Sequence, residues 1–271
     1  MYVENKVALI TGGAVGLGYL YAEQLLKNGL RGVTLADVNV EKGEESAQTL
    51  TKQYGSGKVI FIKVDVVDKA EFENAIKKTI EIFGNFDILI NNAGIFTDAH
   101  WEKEIDINLK GAINGSILGF EEYLPKYKTD DGSEPTIINI SSIAGLSPSF
   151  FTPVYSATKT GIIVLSKALA TPPNYESQKV RIVVVCPGCT TTTMVDNLDL
   201  RSFSPRHVPF LQTDVLEKVN EPLQTPEVMA AAMIKIIENA QNGDVWVVRG
   251  ETICQIEVPT EKDMKILKWL E

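Results

Sequence analysis

The stretch Val7-Ala8-Leu9-Ile10-Thr11-Gly12-Gly13-Ala14-Val15-Gly16-Leu17-Gly18 decides the fold. An apolar run ends in a glycine-rich turn. Beyond it Leu17, Leu20, Tyr21, Leu25 and Leu26 recur at helical spacing until Gly29. A buried strand that turns through glycines into a helix leaves backbone N–H groups at the positive end of the helix dipole, a natural seat for a pyrophosphate. Gly12, Gly16, Leu17 and Gly18 are therefore the expected cradle.

The same alternation continues outward. Val33–Ala36, Val59–Val64, Phe86–Ile90, Thr136–Ile140 and Val180–Val185 read as strands, with Asp244–Val248 as the last. Helical patterns separate them. They run over Glu41–Gln53, over the segment carrying Phe72, Ile76, Ile80 and Phe83, over Trp101–Tyr123, and after Pro153 with Thr152 as cap. A late helix starts at Pro226 with Thr225 as cap. Strands that are apolar throughout imply a parallel sheet covered on both faces, which predicts an α/β, Rossmann-type doubly wound fold of about seven strands. Nothing reads as a linker or repeat, so residues 1–271 are expected to form one domain. Lys126–Pro135, with Asp130 and Asp131, reads as an exposed loop, and the irregular stretch 190–224 as a substrate lid.

Composition narrows the function. The 271 residues are 44% hydrophobic and 23% charged, with a net charge of −9, which argues against nucleic acid and anionic membranes as partners. No apolar run is long enough for a membrane span, and the N-terminus lacks a secretion-signal pattern. Three cysteines cannot all pair within the chain, so a cytoplasmic, reducing setting is expected. Cys186 and Cys189 have C-x-x-C spacing, read as two small thiols framing Pro187-Gly188 rather than a redox or zinc site. His100 and His207 are too few for a metal cluster, so no metal is expected.

Asp37 ends the second strand, 19 residues after Gly18. A carboxylate there accepts hydrogen bonds from an adenosine ribose and repels a 2′-phosphate, which selects NAD over NADP. Tyr155 and Lys159 lie four apart and share a helix face. A free phenol, with a pKa of ~10, is a poor base at neutral pH. A neighbouring ammonium and a cationic nicotinamide would lower that value and let Tyr155 take an alcohol proton as hydride leaves.

Together these motifs resemble the short-chain dehydrogenase/reductase superfamily over nearly the whole chain. Thr11–Gly18, Asn91-Asn92-Ala93-Gly94, Asp106-Ile107-Asn108-Leu109, Ser142 in its position 13 residues before Tyr155, and Pro187-Gly188 fall in the family's order and spacing. Within it the chain looks most like 15-hydroxyprostaglandin dehydrogenases, through Trp101-Glu102-Lys103 and Ala144-Gly145-Leu146. It also looks like insect-type alcohol dehydrogenases, through Pro187–Thr193 and Asn242–Trp246.

The resemblance implies that Tyr155 is the general acid/base, that Lys159 lowers its pKa and holds the nicotinamide ribose, and that Ser142 bonds the substrate oxygen. It implies that Asn108 holds a water leading to solvent. Asp65 and Val66 would flank the adenine. Asn91, Ala93 and Gly94 would border the adenosine half, Pro187 and Gly188 would follow the sixth strand at the cofactor, and Thr190 and Thr192 would reach the nicotinamide amide or pyrophosphate. A homodimer or homotetramer built on Trp101–Tyr123 and Val154–Ala170 is implied as well.

Phe96, Phe150, Phe151, Met194, Leu198, Phe203 and Phe210 suggest a greasy alcohol, with Phe96, Phe150, Met194, Ser142, Thr152 and Tyr155 as its contacts. Thr152 stands where the 15-hydroxyprostaglandin enzymes carry a Gln, which weakens a strict prostaglandin assignment. Small secondary, terpenoid and long-chain alcohols remain open. Two other readings stand beside this one: a non-catalytic NAD- or lipid-binding protein, and an NADP-linked carbonyl reductase.

Overall fold

A computed structural model describes residues 3–127, 132–192, 194, 198–211, 223–260 and 263. Its centre is an eight-stranded sheet in the order β3-β2-β1-β4-β5-β6-β7-β8. The strands are β1 (Val7–Thr11), β2 (Gly32–Asp37), β3 (Val59–Lys63), β4 (Ile88–Asn91), β5 (Thr136–Ile140), β6 (Arg181–Pro187), β7 (Val245–Arg249) and β8 (Thr252–Ile256). The first seven pair in parallel, and β8 returns antiparallel to β7. The expected α/β Rossmann-type fold is present, with one strand more than expected. Asp244–Val248 is not the last strand, because the two residues Gly250-Glu251 turn the chain back onto the sheet edge. β8 escapes a hydrophobicity reading because three of its five residues are exposed.

The helices are α1 (Gly16–Lys27), α2 (Val40–Tyr54), α3 (Lys69–Phe83), α4 (Trp101–Ile105), α5 (Gly111–Ile117), α6 (Pro153–Leu169), α7 (Pro172–Gln178), α8 (Leu198–Arg201), α9 (Val208–Leu211) and α10 (Pro226–Asn239). The helical pattern of Trp101–Tyr123 is continuous but not uniform: π-helical turns at Asp106–Lys110 and Leu118–Tyr123 follow α4 and α5. Thr225 is the N-cap residue of α10, but its side chain makes no capping hydrogen bond.

Alternate strand residues feed two separate cores. Ala8 and Ile10 of β1, with Ile138 and Ile140 of β5, join Tyr21, Leu25, Met233 and Ile237 of α1 and α10. Leu9 and Ile137 point the other way, to Phe72, Ile76, Phe120 and Leu169. This period-two alternation within uniformly buried strands is what a doubly covered sheet requires. β1 lies between β2 and β4, so the chain order reverses there, and ligand crevices form at such a point outside the carboxyl ends of the strands. Of the stretch 190–224, residues 190–192, 194, 198–211 and 223–224 are described. Asp130, Asp131 and the side chains of Leu198 and Phe210 lie outside the described residues.

Candidate active site

A cavity of about 830 Å³ opens along the carboxyl ends of the strands. One end is bordered by Gly12, Gly16, Leu17, Asp37, Asp65 and Val66, the other by Phe96, Phe150, Phe151, Thr152 and Met194. Ser142, Tyr155 and Lys159 stand between them. Its size and mixed lining suit a small-molecule site.

The glycine turn is shaped by close approach. Gly12 has φ +63°, and a Cβ there would lie 3.0 Å from the Ala93 Cα. A Cβ on Gly18 would lie 2.1 Å from the Gly12 carbonyl oxygen. Gly18 therefore does not line the cavity as expected; it is buried against the turn and lets the helix dock there. Asn92 braces the same turn, donating to the carbonyls of Thr11 at 2.9 Å and Gly12 at 3.2 Å. The Thr11 hydroxyl accepts the N–H groups of Asn92 and Ala93, each at 3.0 Å.

The N-cap residue of α1, Val15, offers its helix no side-chain acceptor, and no acid sits in the first turn. These residues fit a bound dinucleotide: the cradle is one that a Cβ would fill, at a helix start with no side-chain anion of its own.

Asp37 stands at the end of β2 and lines the cavity. Its oxygens accept the N–H groups of Ala14 at 3.1 Å and Asn39 at 3.0 Å, which fixes the carboxylate beside the turn. Asp65 accepts the N–H of Val67 at 3.0 Å and lies on the same wall with Val66, Ala93 and Gly94.

Asn91 is not brought to the cavity. It is 5% exposed and donates to Asn139 at 2.8 Å and to Ser116 at 3.3 Å, inside the sheet–helix core. As the last residue of β4 it points away from the site, and its neighbour Asn92 is the one on the wall. Pro187, Gly188, Thr190 and Thr192 line the far side. The Thr190 hydroxyl donates to the Gly188 carbonyl at 2.9 Å and accepts the Gln224 amide at 2.9 Å, tying the two ends of the 190–224 stretch together.

At the inner end, Ser142 follows β5 and Tyr155 lies in the first turns of α6. The Ser142 hydroxyl accepts the Ala144 N–H at 3.1 Å and, beside Tyr155 on the cavity wall, favours the ionised phenol. The Tyr155 ring meets the Phe96 ring edge-on at 4.6 Å. Lys159 Nζ stands 5.5 Å from the Tyr155 ring centroid and donates to the Ile140 carbonyl at 3.1 Å. Burial holds the Lys159 amine down at about 8. Burial also pushes the Tyr155 phenol up, and the neighbouring Ser142 hydroxyl opposes it only in part. In the protein alone the phenol is thus harder to ionise than a free one, contrary to the expectation drawn from its lysine neighbour. Desolvation is the dominant cause.

Asn108 does not line the cavity. Its amide clamps Ile95 from both sides, accepting the Ile95 N–H at 2.7 Å and donating to its carbonyl at 2.8 Å. It still meets the site through Gly94, where a Cβ would lie 3.2 Å from Asn108 Oδ1 and 3.5 Å from Lys159 Nζ.

Thr152 lines the cavity but does not cap α6, and its buried hydroxyl has no partner. The Asp98 carboxylate does so instead, accepting the N–H groups of Val154 at 2.7 Å and Tyr155 at 2.9 Å. Nothing in the sequence reading singled out Asp98. Its place four residues after Gly94, in a loop leading back to the site, is the only signal for it.

The chain is 36% identical over 248 residues to 15-hydroxyprostaglandin dehydrogenase [NAD(+)] of Rattus norvegicus, covering 90% of this chain and 91% of that one. The Homo sapiens protein of the same name is 35% identical over the same length and coverage. Alcohol dehydrogenase 1 of Ceratitis capitata is 30% identical over 259 residues, covering 95% of this chain and 96% of that one. A family model described as short chain dehydrogenase matches residues 6–202, which include the glycine turn, Asp37, Asn108, Ser142, Tyr155 and Lys159, and the chain belongs to that family.

Proposed function

We propose that the protein is an NAD-dependent dehydrogenase that oxidises a hydroxyl of an apolar alcohol to the aldehyde or ketone. The observation that carries this is the convergence of Ser142, Tyr155 and Lys159 midway along one cavity, with the glycine turn and Asp37 at one end and phenylalanines at the other. The names of the relatives, which include NAD(+) and two kinds of alcohol substrate, support it.

Gly12, Gly16 and Leu17 would hold the pyrophosphate, Asp37 the adenosine ribose, Asp65 and Val66 the adenine, and Lys159 the nicotinamide ribose. NAD supplies the hydride acceptor when bound. The chain's own residues handle the proton. Tyr155 accepts it from the alcohol, Ser142 orients the substrate oxygen and bonds the phenol, and Lys159 places a cationic amine beside the ring. Asn108 acts at one remove, fixing the Ile95 backbone and standing beside Lys159 through Gly94. Phe96, Phe150 and Met194 would take the apolar body, with Thr152 beneath them. That lining fits a long-chain, terpenoid, prostaglandin-like or small secondary alcohol.

Tyr155→Phe removes only the hydroxyl. The variant should bind NAD as the parent does, while its turnover falls by about a hundredfold or more. Calorimetric titration with NAD and reduction of NAD across alcohols from cyclohexanol to hydroxylated fatty acids check both halves. Unchanged turnover in the variant overturns the role of Tyr155. NAD binding by the parent with no alcohol turned over would favour a non-catalytic binding protein.

The single-domain organisation of 1–271, a lid over 190–224, and a homodimer or homotetramer belong to the same proposal. So does a cytoplasmic setting, which all three cysteines being free supports. Among the described residues no helix is long and apolar enough to cross a membrane.

A further inference from the structure

Two buried carboxyls stand behind the catalytic tyrosine, and the chemistry above does not use them. Asp98 is 1% exposed and Glu104 0%. Asp98 takes one backbone N–H on each oxygen, from Val154 and from Tyr155 itself. Glu104 sits on α4, which packs against α6. Its Oε1 accepts the Thr97 N–H at 2.7 Å, and its Oε2 is buried with no partner. The Glu104 and Asp98 carboxyls are within hydrogen-bond reach of each other.

Two carboxylates in contact away from water do not both stay ionised. Both Asp98 oxygens are engaged by backbone donors at the N-terminus of a 17-residue helix. Glu104 has one donor and an orphaned oxygen. A proton on Oε2 removes the orphan and supplies Asp98 with a further hydrogen bond.

We propose that Asp98 and Glu104 form a proton-sharing pair that positions Tyr155: the Asp98 carboxylate fixes the first turn of α6 through the tyrosine's own N–H, and neutral Glu104 ties Asp98 to the Thr97 backbone. The inference deepens the dehydrogenase reading and rests on it for what concerns turnover.

The charged groups around the pair are few. Lys159 and Tyr155 face Glu104 from α6, and Glu104 acts on both. Arg201 of α8 donates to the Phe96 carbonyl at 2.9 Å, on the loop that carries Asp98. His100, Glu102 and Lys103 lie on the exposed side. Burial first, and Asp98 after it, push Glu104 up to about 8. Below that pH Glu104 holds its proton. Above it the negative charge on Glu104 makes the Tyr155 phenol harder to ionise.

Two measurements test the pair. Infrared spectra of the protein without substrate should show a protonated-carboxyl band at neutral pH. That band should fade as pH rises through about 8 and be missing from Glu104→Gln. A neutral-pH spectrum with no band that Glu104→Gln removes would overturn the proposal, and this readout needs no turnover.

The second measurement is kcat against pH with NAD and cyclohexanol, or the best alcohol of the panel. The glutamine amide keeps both hydrogen bonds, so Glu104→Gln should recover the neutral-pH rate that Glu104→Leu loses by about tenfold, and its alkaline fall should be smaller than the parent's, leaving only the part that Lys159 contributes. Asp98→Asn should lower kcat by about tenfold or more with a smaller change in KM. Superimposable pH profiles for the parent and Glu104→Gln would also overturn it. A parent that turned over no alcohol would sink the dehydrogenase reading and leave the infrared result to decide the pair.

Discussion

At the scale of single residues, the cofactor end turns on Asp37. Its oxygens already accept the N–H groups of Ala14 and Asn39, so the carboxylate is held rigidly beside the glycine turn with lone pairs to spare. A hydrogen bond from a ribose hydroxyl to a charged, pre-positioned acceptor is worth about 1.5–3 kcal/mol, and the same charge would repel a 2′-phosphate. Asp37→Asn should therefore weaken NAD binding by about tenfold and raise NADP affinity relative to it. Titration of the parent and Asp37→Asn with both cofactors reads this directly; a parent that binds NADP more tightly than NAD would contradict the charge argument.

Asp37, Tyr155 and Lys159 were legible in the sequence because each sits at a fixed offset from a turn or helix start. Asp98 and Glu104 were not. In Trp101-Glu102-Lys103-Glu104 a fully buried acid looks like one more charge on a solvated helix, and only tertiary packing separates it from Glu102.

At the scale of elements, the β1–turn–α1 unit is the tightest constraint. Gly16 has φ +59° but open space around its missing Cβ, whereas a Cβ on Gly18 would drive into the Gly12 carbonyl. Overpacking of this kind costs about 1–3 kcal/mol and moves backbone. Gly18→Ala should lower the melting temperature and weaken NAD binding together, because the backbone that must shift is the cradle itself. Thermal unfolding with and without NAD checks it; a variant with the parent's melting temperature and NAD affinity would refute the packing argument.

The strand cores were readable for a related reason: strands buried on both faces are continuous apolar runs, as Val7–Thr11 and Thr136–Ile140 are. What depends on cooperation between distant parts was not readable. β8 is an exposed edge strand recognisable only by its pairing with β7. α7, which has no buried residue, carries no apolar stripe. The π-helical turn Asp106–Lys110 holds Asn108, whose clamp on Ile95 is a contact 13 residues apart that no local periodicity encodes. Asn91 was misplaced because adjacent residues of a strand point to opposite faces, and a motif match does not say which of Asn91 and Asn92 faces the crevice.

At the scale of the whole molecule, the helices that carry the site also carry several uncovered apolar side chains. Trp101 is 44% exposed, Ile105 and Ile113 each 37%, and Val164 61%. Trp101, Ile105 and Ile113 lie on α4, its C-terminal boundary and α5; Val164 is on α6, which packs against both. Single exposed apolar residues are ordinary, but several on adjoining helices fit an interface between copies of the chain. A two-fold axis would bring each such helix against its own counterpart, so one charge introduced per chain appears twice in the contact. Ile113→Glu with Val164→Glu should therefore convert the sedimenting species to a smaller one. The parent should sediment as a dimer or tetramer with little response to salt, because the contact is apolar rather than ionic. Tyr155 and Lys159 lie on α6, and Asn108 lies in the π-helical turn between α4 and α5, so dissociation should lower turnover along with size. A parent that sediments as a stable monomer would reject the assembly, and a double variant that keeps the parent's size would place the interface elsewhere.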